Sequence, residues 1–415
     1  KIEQLDLKLF DYRVQNDGPI ELTLDRSVLE IGRFRLAGEG TQLALDGRLG
    51  LKDQTIDVQA TGDANLGILQ GLFRNLRSRG RAAIKAQMGG TFTNPVFGGS
   101  ATLSDGRLRH FSLPHSLESI NGRVSFDASG VRVDEVTGRL GGGNVVFGGR
   151  IGLDGFALGD LNLTAIGERM TLRYPEGFRS IVDADLGLQG NMNALVLNGT
   201  VMVQDGVWSK RLETSPDLFS LTGASSASLS PAAASTALPL RFDVAIVAAS
   251  SLRIQNNVPN MVASADLRLQ GTYDRPLLFG RAEIERGDVL FEGNRLIVTP
   301  GGSIDFFNPS RIEPFFDIEF ETRVRRPGQP YRLTIGLSGT TSRFSYALNS
   351  DPPLPEVDIV SLLFGQNVDL EDAELRALRS NAAQQSEETL LREGMARLLV
   401  SPISTPVGRA LGEAF

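Results

Sequence analysis

From Glu313 to Leu348 the chain alternates apolar and polar residues almost without interruption, and before Asp351 only one short helical pattern is available to cover the apolar sides of the many such strands. Phe316, Ile318, Phe320 and Val324 share one parity, and Asp317, Glu319, Glu321 and Arg323 hold the other. Leu333, Ile335 and Leu337 repeat the pattern, as do Phe344, Tyr346 and Leu348. Successive side chains of an extended strand point to opposite faces, so each run has one wet face and one apolar face. A sheet built from such strands must find a cover for its apolar side. The residues leave three covers open: closure into a barrel or solenoid, folding against itself as a sandwich, or occupation by an apolar ligand.

The same grammar runs upstream. Leu5, Leu7 and Leu9 oppose Asp6 and Lys8; Ile20, Leu22 and Leu24 oppose Glu21, Thr23 and Asp25; Ile56, Val58 and Ala60 oppose Asp57 and Gln59. These read as half-buried strands of about 5–8 residues joined by turns. The spacing Gly-x8-Gly-x6-Gly occurs at Gly90, Gly99 and Gly106, again at Gly190, Gly199 and Gly206, and again at Gly271, Gly280 and Gly287. It predicts a repeated strand–turn–strand–turn unit with glycine where the backbone takes positive φ.

Three stretches depart from this rhythm. Leu66, Leu69, Leu72, Phe73 and Leu76 predict a short helix near 66–79. It either caps a sheet end or, through Arg74, Arg77, Arg79 and Arg81, touches a lipid headgroup surface. Residues 222–238 are uncharged and low in complexity, which predicts a disordered insertion between strands. Asp351 to Pro355 stops the strand series, and helical spacing follows over 357–364 and 369–400. The expected organisation is one elongated repetitive sheet over 1–350 and a Pro-rich break with a helical segment over 351–415.

Conventional chemistry finds little support. A net charge of -7 gives no basic footprint for nucleic acid. The absence of cysteine excludes disulfides, thiolate metal sites and cysteine nucleophiles, and suits an oxidising compartment. The two histidines, His110 and His115, sit in neither a metal-ligand nor a triad context, and no nucleophile elbow, P-loop or His-Glu-x-x-His is present. No catalytic residue, metal site or cofactor is expected. No run of about 18 apolar residues offers a membrane-spanning helix. The chain opens within a strand pattern and reads as a piece of a longer protein.

Three segments, Gly271 to Gly287, Gly302 to Pro314 and above all Ser350 to Gly365, resemble the C-terminal domain of TamB-type translocation and assembly proteins. In the last, the resemblance rests on Asp351, Pro352, Pro353, Leu354 and Pro355, followed by Leu362, Leu363, Phe364 and Gly365. The upstream glycine-rich modules are similar to the wider AsmA-like group. The resemblance implies a mainly β fold: one long, continuous, strongly curved sheet folded into a U-shaped, taco-like groove with an apolar interior. It further implies a periplasmic protein, anchored in the bacterial inner membrane by a segment preceding this sequence, that conducts phospholipid between inner and outer membranes. A segment following this sequence would meet an outer-membrane barrel of the TamA type.

On that reading the groove is lined by Phe242, Val244, Ile246, Leu267, Leu269, Phe316, Ile318, Phe320, Val324, Leu333, Ile335, Leu337, Phe344, Tyr346 and Leu348. The helix over 357–364 would plug or gate its end. The competing expectation is a structural assembly factor whose open sheet edges pair with strands of outer-membrane proteins. An adhesin or β-helical enzyme fits less well, given the helical end and the lack of catalytic residues.

Overall fold

The computed structural model describes residues 2–9, 12–71, 76–110, 115–154, 157–173, 177–209, 239–255, 259–291, 294–326, 328–340 and 343–363. Among them the fold is mainly β, with twenty-two strands assigned to one sheet. The expected segments 222–238 and 369–400 lie outside the described residues, as do Arg74, Phe364 and Gly365. The chain divides into two compact units. Unit 1 comprises Lys1–Leu172, Val182–Val201 and Leu238–Arg241; unit 2 comprises Arg173–Ile181, Met202–Ala237 and Phe242–Phe415.

Unit 1 opens with β1 (Asp6–Leu9), β2 (Tyr12–Asn16) and β3 (Glu21–Asp25). It continues with β4 (Val28–Gly38), β5 (Thr41–Gly50), β6 (Thr55–Asn65), β7 (Leu76–Gly90) and β8 (Pro95–His110). Then come β9 (Leu117–Asp127), β10 (Gly130–Leu140), β11 (Gly143–Asp154) and β12 (Ala157–Leu172). From β4 to β12 each strand pairs antiparallel with the next in the chain. Strands β13 (Phe178–Asn191), β14 (Ala194–Trp208) and β15 (Leu240–Gln255) follow, each divided between the two units, with β15 in unit 2 from Phe242 onward.

Unit 2 carries β16 (Pro259–Thr272), β17 (Arg275–Phe291), β18 (Asn294–Val298) and β19 (Gly302–Phe306). It ends with β20 (Pro314–Arg326), β21 (Gln329–Thr340), β22 (Phe344–Asp351) and helix α1 (Glu356–Leu363). β17 pairs with β16 on one side and with the two short strands β18 and β19 on the other. Both short strands then pair with β20, which leads on to β21 and β22.

Many strands exceed the expected 5–8 residues: β7 has 15 and β8 has 16. In β8, β9, β10 and β12 a β-bulge joins what the pattern divides, whereas β20 and β21 pair over their length without one. Asp105, Ser119, Glu135 and Arg169 each take positive φ, and the next residue in each case, Gly106, Ile120, Val136 or Met170, is buried. Ladder registers shift at Leu103/Gly106 and at Val133/Val136. A bulge inserts one residue and bends the strand. It also resets the parity, so the apolar side faces inward again and one strand reads as two. The backbone N–H of Asp105 donates to Asn121 Oδ1 at 3.0 Å, and that of Arg169 to Asp183 Oδ1 at 2.7 Å.

The glycine repeat corresponds to one recurring geometry, with a correction at its third position. The first two glycines of each copy have positive φ, for example +91° at Gly90 and +122° at Gly99. A Cβ on the second glycine would lie 2.1, 2.1 or 2.2 Å from a neighbouring-strand carbonyl, that of Lys85, Asp185 or Asp266. No L side chain other than hydrogen fits there. The third glycine has no positive φ and is required for space instead. A Cβ at Gly106 would sit 2.9 Å from that of Ile120, and one at Gly206 would sit 2.9 Å from Leu252.

The helix expected near 66–79 is shorter. A 3-10 helix spans Leu66–Gly71, and β7 begins at Leu76. The Asn65 side chain receives the Gly67 N–H at 2.8 Å, and the Ser78 hydroxyl donates to the Leu66 carbonyl at 2.7 Å, tying the turn to β7. Ser78 is buried while Arg77 and Arg79 are exposed, so this stretch follows a period of two. Arg77, Arg79 and Arg81 therefore stand on a strand rather than on a basic amphipathic helix.

Candidate functional site

Strand registers place the apolar parity of neighbouring strands in transverse rows, because directly opposed residues of an antiparallel pair share a face. In unit 2 one row runs Ala265, Ala282, Ile304, Phe316. Another runs Val298, Phe320, Ile335, Leu348, and a third pairs Ile318 with Leu337 and Tyr346. Phe316, Ile318, Phe320, Leu333, Ile335 and Leu337 are at most 2 % exposed and belong to a single packed cluster. Leu267, Leu269, Val324, Tyr346 and Leu348 pack against it as partly buried residues.

Helix α1 closes that cluster. Ile359, Val360 and Leu363 are buried in it, and Leu354 and Leu362 pack at its margin. The Pro-rich stretch sets the approach. Ser350 Oγ donates to the Pro352 carbonyl at 2.9 Å and accepts the Leu354 N–H at 2.7 Å. The Pro355 carbonyl accepts N–H groups of Asp358 and Ile359 at 3.0 and 3.2 Å, starting the helix. Glu356 and Asp358 in the first turn suit the positive end of its dipole. At the other end Asn294 Nδ2 donates to the Leu363 carbonyl at 2.6 Å, satisfying one of the acceptors that a helix terminus leaves open.

The expected lining set is thus divided. Six of its members are sealed in a filled core to which α1 contributes, which departs from an open lining at those positions. The cause is volume: large side chains from β17 to β21 and the helix meet over the same face. Phe242 and Val244 are buried and Ile246 is half-buried on β15, outside the cluster. Phe344 begins β22 opposite Gly339, and its side chain lies outside the description. Within the motif Asp351, Pro353 and Pro355 are exposed, and Pro352 is half-buried.

Sequence reasoning missed several members of the cluster, namely Met261, Leu278, Ile284, Val289, Leu296, Val298, Ile304 and Phe306. Their strands are interrupted. The ladder between β16 and β17 shifts register at Val262/Ala263, and β18 and β19 are only five residues long. The useful signal was local alternation, as in Leu296 and Val298 or Ile304 and Phe306.

Unit 1 presents its apolar face differently. One row runs Ala86, Gly99, Phe126, Val131, Ile151, Leu161 across β7 to β12. A second runs Gly62, Ile84, Ala101, Val124, Val133, Gly149, Leu163 across β6 to β12. Phe126, Val131, Ile151, Leu161 and Leu163 are all only half-buried, and glycine or alanine sits between the larger residues. No α-helix covers them among the described residues of the unit. At the usual interstrand spacing these rows extend roughly 25–30 Å.

The opposite face is mostly polar, with Val146 and Ile166 exposed on it as an opposed pair. Arg150 bonds Asp127 at 3.1 Å in unit 1, and Arg268 bonds Asp243 at 2.6 Å in unit 2. Hydrogen bonds from Ser129, then the Arg150 charge, hold Asp127 below the ordinary carboxylate value; hydrogen bonds from Arg268 and Gln270 do the same for Asp243. A polar cavity of about 490 Å³ lies in unit 1 and is lined by residues including Arg109, His115, Glu118 and Arg139. Among the described residues no acidic or histidine cluster could hold a metal ion, and no helix is long and apolar enough to cross a membrane.

A family model for the TamB C-terminal domain matches residues 132–415, more than half of the chain. No curated protein matches the sequence.

Proposed function

The chain belongs to the TamB family, a family of translocation and assembly modules, and from that premise we propose that it carries phospholipid along the apolar face of its sheet. The observation that supports this reading is the pair of half-buried apolar rows in unit 1. Each methylene taken from water onto such a face gains about 0.8 kcal/mol. The headgroup stays in solvent at the margin of the sheet. Transfer is sliding between equivalent rows and requires no catalytic group, so no residue is assigned a chemical step.

On this reading the protein works in the periplasm between inner and outer membranes, and an outer-membrane barrel of the TamA type is its partner. The lining set consists of the inward residues of unit 1 together with the expected positions of unit 2. Those of unit 2 join when α1 leaves the cluster, so α1 acts as a plug. Solvent extraction and mass spectrometry of the purified chain should recover phospholipid, and Leu163→Arg should reduce the amount while leaving far-UV circular dichroism unchanged. A lipid-free extract, or equal occupancy in the variant, would sink the reading.

A second reading has one supporting observation: β22 has a paired neighbour, β21, on one side only among the described residues. An open edge of this kind can accept a client strand. Crosslinks from β22 to nascent outer-membrane proteins, without lipid labelling of the inward face, would favour it.

A further inference from the structure

The five arginines at one end of strands β7 to β10 are placed against electrostatic expectation. Arg77 stands directly opposite Arg109, and Arg79 directly opposite Arg107, in the ladder between β7 and β8. Like charges directly opposed across an antiparallel pair destabilise it. Glu118 offsets part of this charge. It bonds Arg107 at 2.8 Å and stands opposite Arg139, whose Nη2 donates to the Gly142 carbonyl at 3.1 Å. Arg79 and Arg109 have no ion pair among the described residues. The adjoining stretches 72–75 and 111–114 contain no carboxylate to balance them.

These side chains lie on the exposed face, and the cavity of about 490 Å³ opens beside two of them, Arg109 and Arg139. Arg109, Arg139, His115 and Ser119 line it; the lining carboxylate, Glu118, is engaged by Arg107 and by the Ser116 hydroxyl at 2.9 Å. A guanidinium fork matches the paired oxygens of a phosphate, and its charge is not lost at any physiological pH. We infer that this patch is a binding site for a phosphate-type oxyanion, whose charge relieves the arginine–arginine opposition. The same chemistry is carried by free phosphate and by the headgroup of an anionic lipid. The site stands on the face opposite the apolar rows, so its success or failure is independent of the lipid-carrying reading.

The test compares the whole chain with the double variant Arg79→Gln/Arg109→Gln. Inorganic phosphate is titrated by calorimetry at fixed ionic strength. Flotation then uses phosphatidylcholine vesicles with and without phosphatidylglycerol. Saturable phosphate binding that falls at least tenfold in the double variant supports the site and assigns it to the free anion. Binding to phosphatidylglycerol vesicles alone, competed by phosphate and weakened at least tenfold in the variant, supports it with the headgroup as source. The variant should fold as well as the parent, with a melting temperature equal or higher, because like-charge opposition is relieved. No binding in either arm, binding unchanged by the substitutions, or preference for polyglutamate over both probes would overturn the inference.

Discussion

Phe126 and Phe316 hold comparable positions, each inward on a long antiparallel strand, yet Phe316 is fully shielded and Phe126 is half-buried. The strands are not what separates them. Around Phe316 the opposing volume comes from Ile304, Ile318 and neighbouring large residues, with α1 contributing Ile359, Val360 and Leu363 to the same cluster. The ladder partners are alike, Gly99 and Val131 beside Phe126 and Gly339 and Ile304 beside Phe316, but no α-helix is described over unit 1. One sheet grammar thus yields two surfaces. Where α1 packs over the inward side chains they form a core; where no described helix does, they stay half-buried.

The contrast predicts unequal costs for equal truncations. Phe316→Ala should cost about 3–5 kcal/mol, the range for a large buried side chain that leaves a cavity. Phe126→Ala should cost less, about 1–2 kcal/mol, since part of its surface already meets solvent and the space it leaves is not enclosed. Denaturant unfolding of each variant measures both, and similar values would erase the distinction. The glycine device, by contrast, should be indifferent to the unit. Gly99→Ala and Gly280→Ala each force a side chain into positive φ and against a carbonyl, for about 1–3 kcal/mol in either case.

Smaller effects sharpen the role of α1. Asn294→Ala removes the bond to the Leu363 carbonyl and should cost about 1 kcal/mol. Limited proteolysis should then cut faster after Pro355, while cleavage in unit 1 stays unchanged. The smallest effect is acid sensitivity on the polar face. Asp127 and Asp243 both have folded values below the ordinary 3.8. Their stabilisation is present above that value and is lost as pH falls through the folded values. Asp127→Asn and Asp243→Asn should each flatten the acid limb of an unfolding-versus-pH curve by a similar small amount.

Much of this was legible in the chain itself. Strict alternation from Phe316 to Leu348 located β20 to β22 and their inward parity, because a period of two has a single structural meaning there. The proline run at Asp351 to Pro355 marked the break, and the helix over 357–364 is observed as Glu356–Leu363. Strand length was not legible, because a bulge such as Ser104–Asp105 shifts parity and mimics a turn. The stretch from Leu76 misled for a related reason: Leu72, Phe73 and Leu76 fit a helical period, but Ser78 belongs to the buried face of β7. Above all, a pattern shows which side chains face inward without showing whether anything fills the space before them. Ile335 and Leu163 look alike in sequence, yet only Ile335 is sealed.

The central claim is that the inward face of unit 1 is a lipid-bearing surface whereas that of unit 2 is a core while α1 is seated. A benzophenone amino acid placed singly at Phe126, Leu163, Thr164 and Ile335, in chain produced with bacterial lipids, tests it most directly. Photoactivation followed by mass spectrometry should give phospholipid adducts at Phe126 and Leu163 but none at outward Thr164. Ile335 should be labelled only when α1 is unseated by Leu363→Asp. Adducts spread equally over inward and outward positions, or none at Phe126 and Leu163, would contradict the account.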